Sequence, residues 1–379
     1  MCILAGVVML FASCFAFAAC AKEEKEEFEE VNAITDLGDE SRVNLYGRNY
    51  YNDDLGGMAF TNAAAGFEVR IRGTELTASV QGLGSWKTMF SVFIDGERDS
   101  NARIVTIETG ASDTLIFAEG LSEGEHTVKV LKRNDSLRNT AVVTKIETDG
   151  VFLEAPERPA IKLEVYGCSV TTGSGILREV TYDEATGKYN DSNVYTAETQ
   201  NIFQAYPGIA ADILGAELQI FGRGGIAMKY TTGMYTVSNN YGSVAVDLPA
   251  SEYPYDYNSW RPDAVVIYLG GNDYLQGSSH NIGYSIDGVK VAYIEFIRNV
   301  IGTYYGKDIP IVLCSGMHTA VRPAGLEACM QSVKSMLVSE FPKLDAVEFE
   351  PCVVGHPIVS ENKAAGEKLA AKLKELLGI

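Results

Sequence analysis

Gly167-Cys168-Ser169 follows directly on the alternating run Ile161 to Tyr166 and is followed by the small residues Thr171, Thr172, Gly173, Ser174 and Gly175. The pattern predicts a strand that stops at a hydroxyl, on the carboxyl edge of a sheet, where open α/β sheets bind their ligands. Further along, Gly270-Gly271-Asn272-Asp273 closes a second apolar run, and His356-Pro357 precedes the last helical stretch. A hydroxyl, a carboxamide and an imidazole delivered by three strand ends are the parts of an acyl-transfer site: a nucleophile, an oxyanion donor and a base. Singly, each has a plainer reading: Ser169 as a turn serine, Asn272-Asp273 as ordinary turn residues, His356 as a helix entrance. Their order, spacing and placement at strand ends carry the chemical reading together.

The elements that must position them fall into two halves. From about residue 43 to 155 the chain runs in short alternating segments broken by Gly, Asn and Asp. Phe67, Val69 and Ile71 share one face of such a segment, and Thr88 to Ile94 runs into the hairpin signal Asp95-Gly96. Frequent turns without an amphipathic helix predict an all-β sandwich. After Pro156 and Pro159 the grammar changes, and residues 160–379 read as an α/β domain. Strands are expected at Leu218–Phe221, Ala264–Leu269, Pro310–Cys314 and Ala346–Phe349. Helices are expected at Ala197–Leu214, Lys290–Tyr304, Pro323–Glu340 and Ser360–Leu377, the last with Ser360 as N-cap. Continuously apolar strands between helices imply a parallel sheet covered on both faces.

With 379 residues the chain is long for one domain, which agrees with two halves. A net charge of −19 repels a phosphate backbone and excludes nucleic acid as a partner, while leaving neutral polymers open. Residues 1–19 are apolar and rich in small residues, as in an export signal rather than a spanning helix. Ala18-Ala19-Cys20 resembles the lipobox of bacterial lipoproteins, with Cys20 as the lipidated residue; a plain secretory signal is the alternative. Residues 20–42, acidic from Lys22 to Glu30, read as a solvated tether, and Lys22-Glu23-Glu24 resembles the surface-export signal of some bacterial lipoproteins. The expectation is an exported protein on the outer membrane or cell surface, touching the membrane only through its anchor. Cys168, Cys314, Cys329 and Cys352 form no CxxC pair and have no metal-ligand spacing, so neither metal nor cofactor is expected. Buried thiols are the expectation, with a Cys314–Cys329 bridge left open. Trp260 and the run Tyr253-Pro254-Tyr255-Asp256-Tyr257 suit either sugar stacking or a packed loop. Trp260 and Asp273 are the substrate-binding candidates. His318 is read as a core or surface residue with a place beside the cleft as the alternative.

The motifs resemble those of SGNH-type hydrolases, specifically carbohydrate esterase family 2, over most of residues 43–379. Tyr46-Gly47-Arg48, Phe67 to Gly73 and Phe93-Ile94-Asp95-Gly96 carry the likeness in the first half. The resemblance implies a jelly-roll sandwich followed by a flavodoxin-like α/β domain. It also implies a metal-free serine esterase that removes acetyl groups from plant-type polysaccharides or oligosaccharides such as acetylated xylan and glucomannan. Ser169 falls on the family's Gly-Asp-Ser nucleophile, with Cys168 in place of the Asp. Asn272 falls on Gly-x-Asn-Asp, a complete match. The oxyanion N–H groups are then those of Ser169 and of a glycine in Phe221 to Ile226, Gly222 by first choice and Gly224 by second. His356 falls on the His of Asp-x-His-Pro, yet Val354 and Val353 occupy the usual acid positions. The arrangement implied is a Ser169–His356 dyad with a backbone carbonyl orienting the ring, and Glu348 and Glu350 are distant substitutes. Two other readings stand beside it: an inactive glycan-binding lipoprotein of the same fold, motivated by Cys168 and Val354, and an esterase for a non-sugar ester.

Overall fold

The computed structural model describes residues 29–97 and 99–379. The leader, Cys20 and most of the acidic run lie outside the described residues.

Residues 31–152 form eleven antiparallel strands. The long strand Asn139–Phe152 pairs with four others along its length and so ties the two layers of the sandwich together. Phe67, Val69 and Ile71 are all fully buried, as the period-two alternation requires. With Phe60, Phe90, Phe117 and Val128 they make a core separate from that of the second half. The sandwich starts earlier than residue 43. Val31–Ile34, inside the stretch expected to be tether, pairs with Asn139–Phe152. Its short apolar alternation was masked by the charge run before it. Asp95 and Gly96 both adopt positive φ, as a tight turn demands.

The second half carries strands β1 (Ile161–Gly167), β2 (Val180–Asp183), β3 (Lys188–Asp191), β4 (Ala216–Gly222), β5 (Ala264–Tyr268), β6 (Ile311–Gly316) and β7 (Leu344–Phe349). Its main helices are α1 (Tyr206–Leu214), α2 (Gly271–His280), α3 (Ile286–Phe296), α4 (Leu326–Leu337) and α5 (Val359–Leu377). The parallel sheet runs β4-β1-β5-β6-β7, the doubly wound order whose ligand crevice opens between the ends of β1 and β5. Helices α1 and α5 pack together, as do α3 and α4. Hairpin β2–β3 stands apart from the main sheet.

The helices start later or earlier than periodicity suggested. Residues 197–205 do not join α1, which begins at Tyr206 with Pro207 in its first turn, a position where proline's missing N–H costs nothing. Ser360 is inside α5 rather than its N-cap. Glu361 closes that end instead, its carboxylate accepting from the N–H groups of Val353 and Ile358 at 2.6 and 2.8 Å.

The halves are joined by buried charge. Arg48, from the sandwich, is almost wholly buried. Its guanidinium donates to Glu164 Oε1 at 2.8 Å, Tyr166 Oη at 2.9 Å and the carbonyls of Tyr241 and Ser243, each at 2.8 Å. The ring centroids of Tyr255 and Phe221 lie 3.9 and 4.4 Å from its Cζ. The tyrosine run 253–257 is therefore packing rather than a sugar platform: Tyr257 is buried and stacks on Tyr304 at 4.1 Å. Removing one member of a buried pair strands the other, so Arg48→Met is expected to lower the unfolding free energy by about 3–5 kcal/mol in denaturant titration. A change below about 1 kcal/mol would show that Glu164 is served by water instead.

Candidate active site

Strand β1 ends at Gly167, where the chain turns back on itself. A Cβ there would sit 2.0 Å from Thr171 Oγ1, so only glycine fits. Thr172 N–H donates to the Cys168 carbonyl and Ser174 N–H to that of Ser169, which closes the turn and lifts Ser169 into the crevice. His356 arrives from the loop between β7 and α5. Its Nε2 lies 2.7 Å from Ser169 Oγ, across 187 positions of sequence. Asn272 is in the first turn of α2, which begins beside the crevice because Gly270 takes φ +100°. Ser169, Asn272 and His356 line one cleft of about 60 Å³ with Cys168, Tyr268 and His318. Asn272 Nδ2 uses one N–H on the Ile226 carbonyl at 2.8 Å and keeps its second.

Cys168 is a buried thiol whose pKa is raised by that burial; neither it nor Cys314 nor Cys329 is bridged, which settles the Cys314–Cys329 question. Gly222 ends β4 in register with Gly167. A Cβ on Gly222 would meet the Gly167 carbonyl at 2.0 Å, so this pair of glycines lets β4 approach the nucleophile strand. A Cβ added at Gly224 would lie 3.9 Å from Ser169 Cβ, but the Gly224 N–H donates to Asp135 Oδ2 at 2.9 Å and is not turned to the cleft. Asp135, fully buried, comes from the sandwich and also accepts from Thr172 Oγ1 at 3.3 Å. One sandwich carboxylate thus pins both the Ser169 turn and the glycine loop.

Two expectations for substrate contact are corrected. Asp273 is wholly buried and accepts from the N–H groups of Met228, Lys229 and Tyr230 at 2.7–2.8 Å. It anchors a loop, because one helical step turns it away from Asn272. Trp260 precedes β5 and so stands at the amino edge of the parallel sheet, opposite Ser169. Its Nε1 donates to Glu217 at 2.6 Å and Lys162 lies over its ring. Glu348 and Glu350 are exposed, and neither is among the charges that act on His356.

What surrounds His356 was not legible in the motifs. Its ring packs edge-on against Tyr195 at 5.2 Å and against His318 at 5.0 Å, which places His318 in the cleft. Arg178, buried, donates to the carbonyls of Val354 and His356 at 2.9 and 2.7 Å, to Gly175 O at 3.0 Å and to Asp191 Oδ1 at 2.8 Å. This clamp joins the nucleophile turn to the histidine loop. Nothing near Arg178 in the sequence marks it, since the carbonyls of Val354 and His356 that it grips are remote, and Asp191 takes its meaning from Arg178.

His356 is pushed down to about 3 by burial, then by His318 and Arg178, against the opposing pull of Asp191. The imidazole therefore stays neutral, the form a base requires. Followed by the NMR signal of its Cε1 proton, native His356 is expected to titrate far below the ordinary midpoint near 6.5. Arg178→Met removes a positive charge and must move that midpoint upward. A native midpoint in the ordinary range, or no upward shift in the variant, would contradict this electrostatic picture.

Residues 45–156 match the family model described as the carbohydrate esterase 2 N-terminal domain. The cellulase/esterase CelE of Acetivibrio thermocellus is 24% identical over 88% of this chain, which spans 39% of that relative's length. The acetylxylan esterase / glucomannan deacetylase of Cellvibrio japonicus is 21% identical over 88% of this chain and 89% of its own. A family two carbohydrate esterase from Clostridium thermocellum, solved with cellohexaose, superposes with a TM-score of 0.75 at 22% identity, covering 89% of this chain and 99% of that one. The resemblance to carbohydrate esterase family 2 is borne out, as is the fold it implied: an antiparallel β-sandwich before an α/β domain with a parallel sheet.

Proposed function

We propose that this protein is a carboxylic ester hydrolase that removes O-acetyl groups from plant-type polysaccharides or oligosaccharides through a Ser169–His356 dyad. The 2.7 Å contact between Ser169 Oγ and a neutral His356 Nε2 carries the proposal. The relatives named as carbohydrate esterases support its substrate class. His356 Nε2 takes the Ser169 proton as Oγ bonds to the acetyl carbon. Negative charge then gathers on the carbonyl oxygen, faced by the N–H groups of Ser169 and Gly222 and by the spare N–H of Asn272 Nδ2. As the intermediate collapses, the proton passes from His356 to the departing sugar oxygen. Water, deprotonated by the same ring, releases acetate from the acetylated Ser169.

The orienting role usual for an acid falls to the arginine grip on the loop and to the neighbouring rings. The Arg178 clamp fixes the loop, while Val354 at the acid position can supply no charge. A bulky protein ring on each side keeps the imidazole from turning. The leader and Cys20 motif support export and anchoring at the outer membrane or cell surface, where polymeric glycans are met.

Acetate release from acetylated xylan or glucomannan is the direct test. Ser169→Ala is expected to abolish it, and Asn272→Ala to reduce turnover by ~10²–10³. Full activity in Ser169→Ala would refute the mechanism. Glycan binding by the native protein with no acetate release, even from aryl acetates, would favour the binding-protein reading that Cys168 and Val354 first suggested.

A further inference from the structure

Hairpin β2–β3 is inserted between the nucleophile turn and α1, and its register is regular: Val180 faces Asp191 and Tyr182 faces Tyr189. Residues opposite one another, and residues two apart along a strand, share a face. Asp191 settles which face this is. One of its oxygens bonds Arg178, and the other lies 3.2 Å from where a Cβ on Gly355 would be, next to His356. Tyr182 and Tyr189 therefore stand on the face that meets the histidine loop, two residues or about 7 Å beyond Asp191.

Their rings are 5.0 Å apart and tilted by 55°. Relative exposures of 55% and 43% leave both in water. Apart from Val180, paired with Asp191, the other strand residues of the hairpin are polar: Thr181, Asp183, Lys188 and Asn190. Such a hairpin has no core for these rings to complete. Paired aromatic surface left wet beside a reactive centre is the hallmark of a recognition surface.

We propose that Tyr182 and Tyr189 form a stacking subsite for the polysaccharide chain that flanks the acetylated sugar. The inference rests on the esterase reading and extends it from the scissile ester to the polymer. The occupant is a neutral glycan. Its ring faces carry C–H groups suited to aromatic surface, its hydroxyls can bond the phenol oxygens, and a chain of net charge −19 disfavours an anionic polymer. The pair is thus placed where Trp260 is not, on the carboxyl edge of the sheet.

The test uses the full chain with Tyr182→Ala and Tyr189→Ala combined; the exposure of both rings means the fold survives, which an unchanged Tm verifies. KM for acetylated xylan is expected to rise about tenfold, the loss typical of an aromatic anchor, with kcat and 4-nitrophenyl acetate hydrolysis unchanged. The double Tyr→Phe variant, which keeps the faces, should restore most of the difference. An unchanged KM on the polymer overturns the subsite, and so does an equal loss on both substrates, which would instead assign the hairpin to holding Asp191. A second comparison is independent of catalysis: calorimetric titration with xylohexaose in a Ser169→Ala background, with and without the tyrosines. Weaker binding without them supports the subsite; equal binding, or none to either, overturns it. Failure of the native protein to cleave any acetyl ester would end the esterase reading by itself, and the titration would still decide the subsite.

Discussion

A guanidinium wholly removed from water governs the relation between the two halves. Arg48 has to be met by Glu164, by two backbone carbonyls and by a tyrosine hydroxyl, all at 2.8–2.9 Å and all supplied by the α/β domain. Desolvating such a pair costs several kcal/mol per ion, recovered only when the geometry is good. The contact therefore acts as a filter on docking: shifted placements leave the charge unmet. Lys132 repeats the theme a few residues from the interface. It is buried and pushed down to about 7, with its ammonium donating to the carbonyls of Thr61, Asn134 and Asp135 at 2.6–2.9 Å. That second anchor shapes the loop that presents Asp135 to Gly224 and Thr172. Docking and the architecture of the cleft are thus one problem.

The cleft also shows how a histidine can be held where its customary carboxylate is missing. Orientation comes from a buried arginine that grips the carbonyls of Val354 and His356, and from edge-on contacts with Tyr195 and His318. The cost is electrostatic, because Arg178 and His318 both oppose protonation of His356. Asp191 softens it from a distance by neutralising Arg178.

Much of this was legible in the chain. Period-two alternation at Phe67, Val69 and Ile71 announces a half-buried strand, and unbroken apolar runs such as Ala264 to Tyr268 announce a parallel one. Ser169, Asn272 and His356 could be found because each follows a strand, and parallel strands share a carboxyl edge. The same rule would have excluded Trp260, which precedes its strand. Asp273 shares its motif with Asn272, which lines the cleft; recognising a helix from Gly271 would have sent the two side chains to different faces. Arg178, Asp191 and Asp135 carry no local signature. The contacts that give them meaning reach from 13 to 178 positions along the chain, which periodicity and motif spacing do not encode.

The route by which Asp135 reaches the glycine loop has a bearing on how such a protein can change over generations. A crevice wall borrowed from the neighbouring fold makes the pair a single heritable module. Recombination that moved the α/β half alone into another gene would carry Ser169 and leave behind the carboxylate that steadies its surroundings.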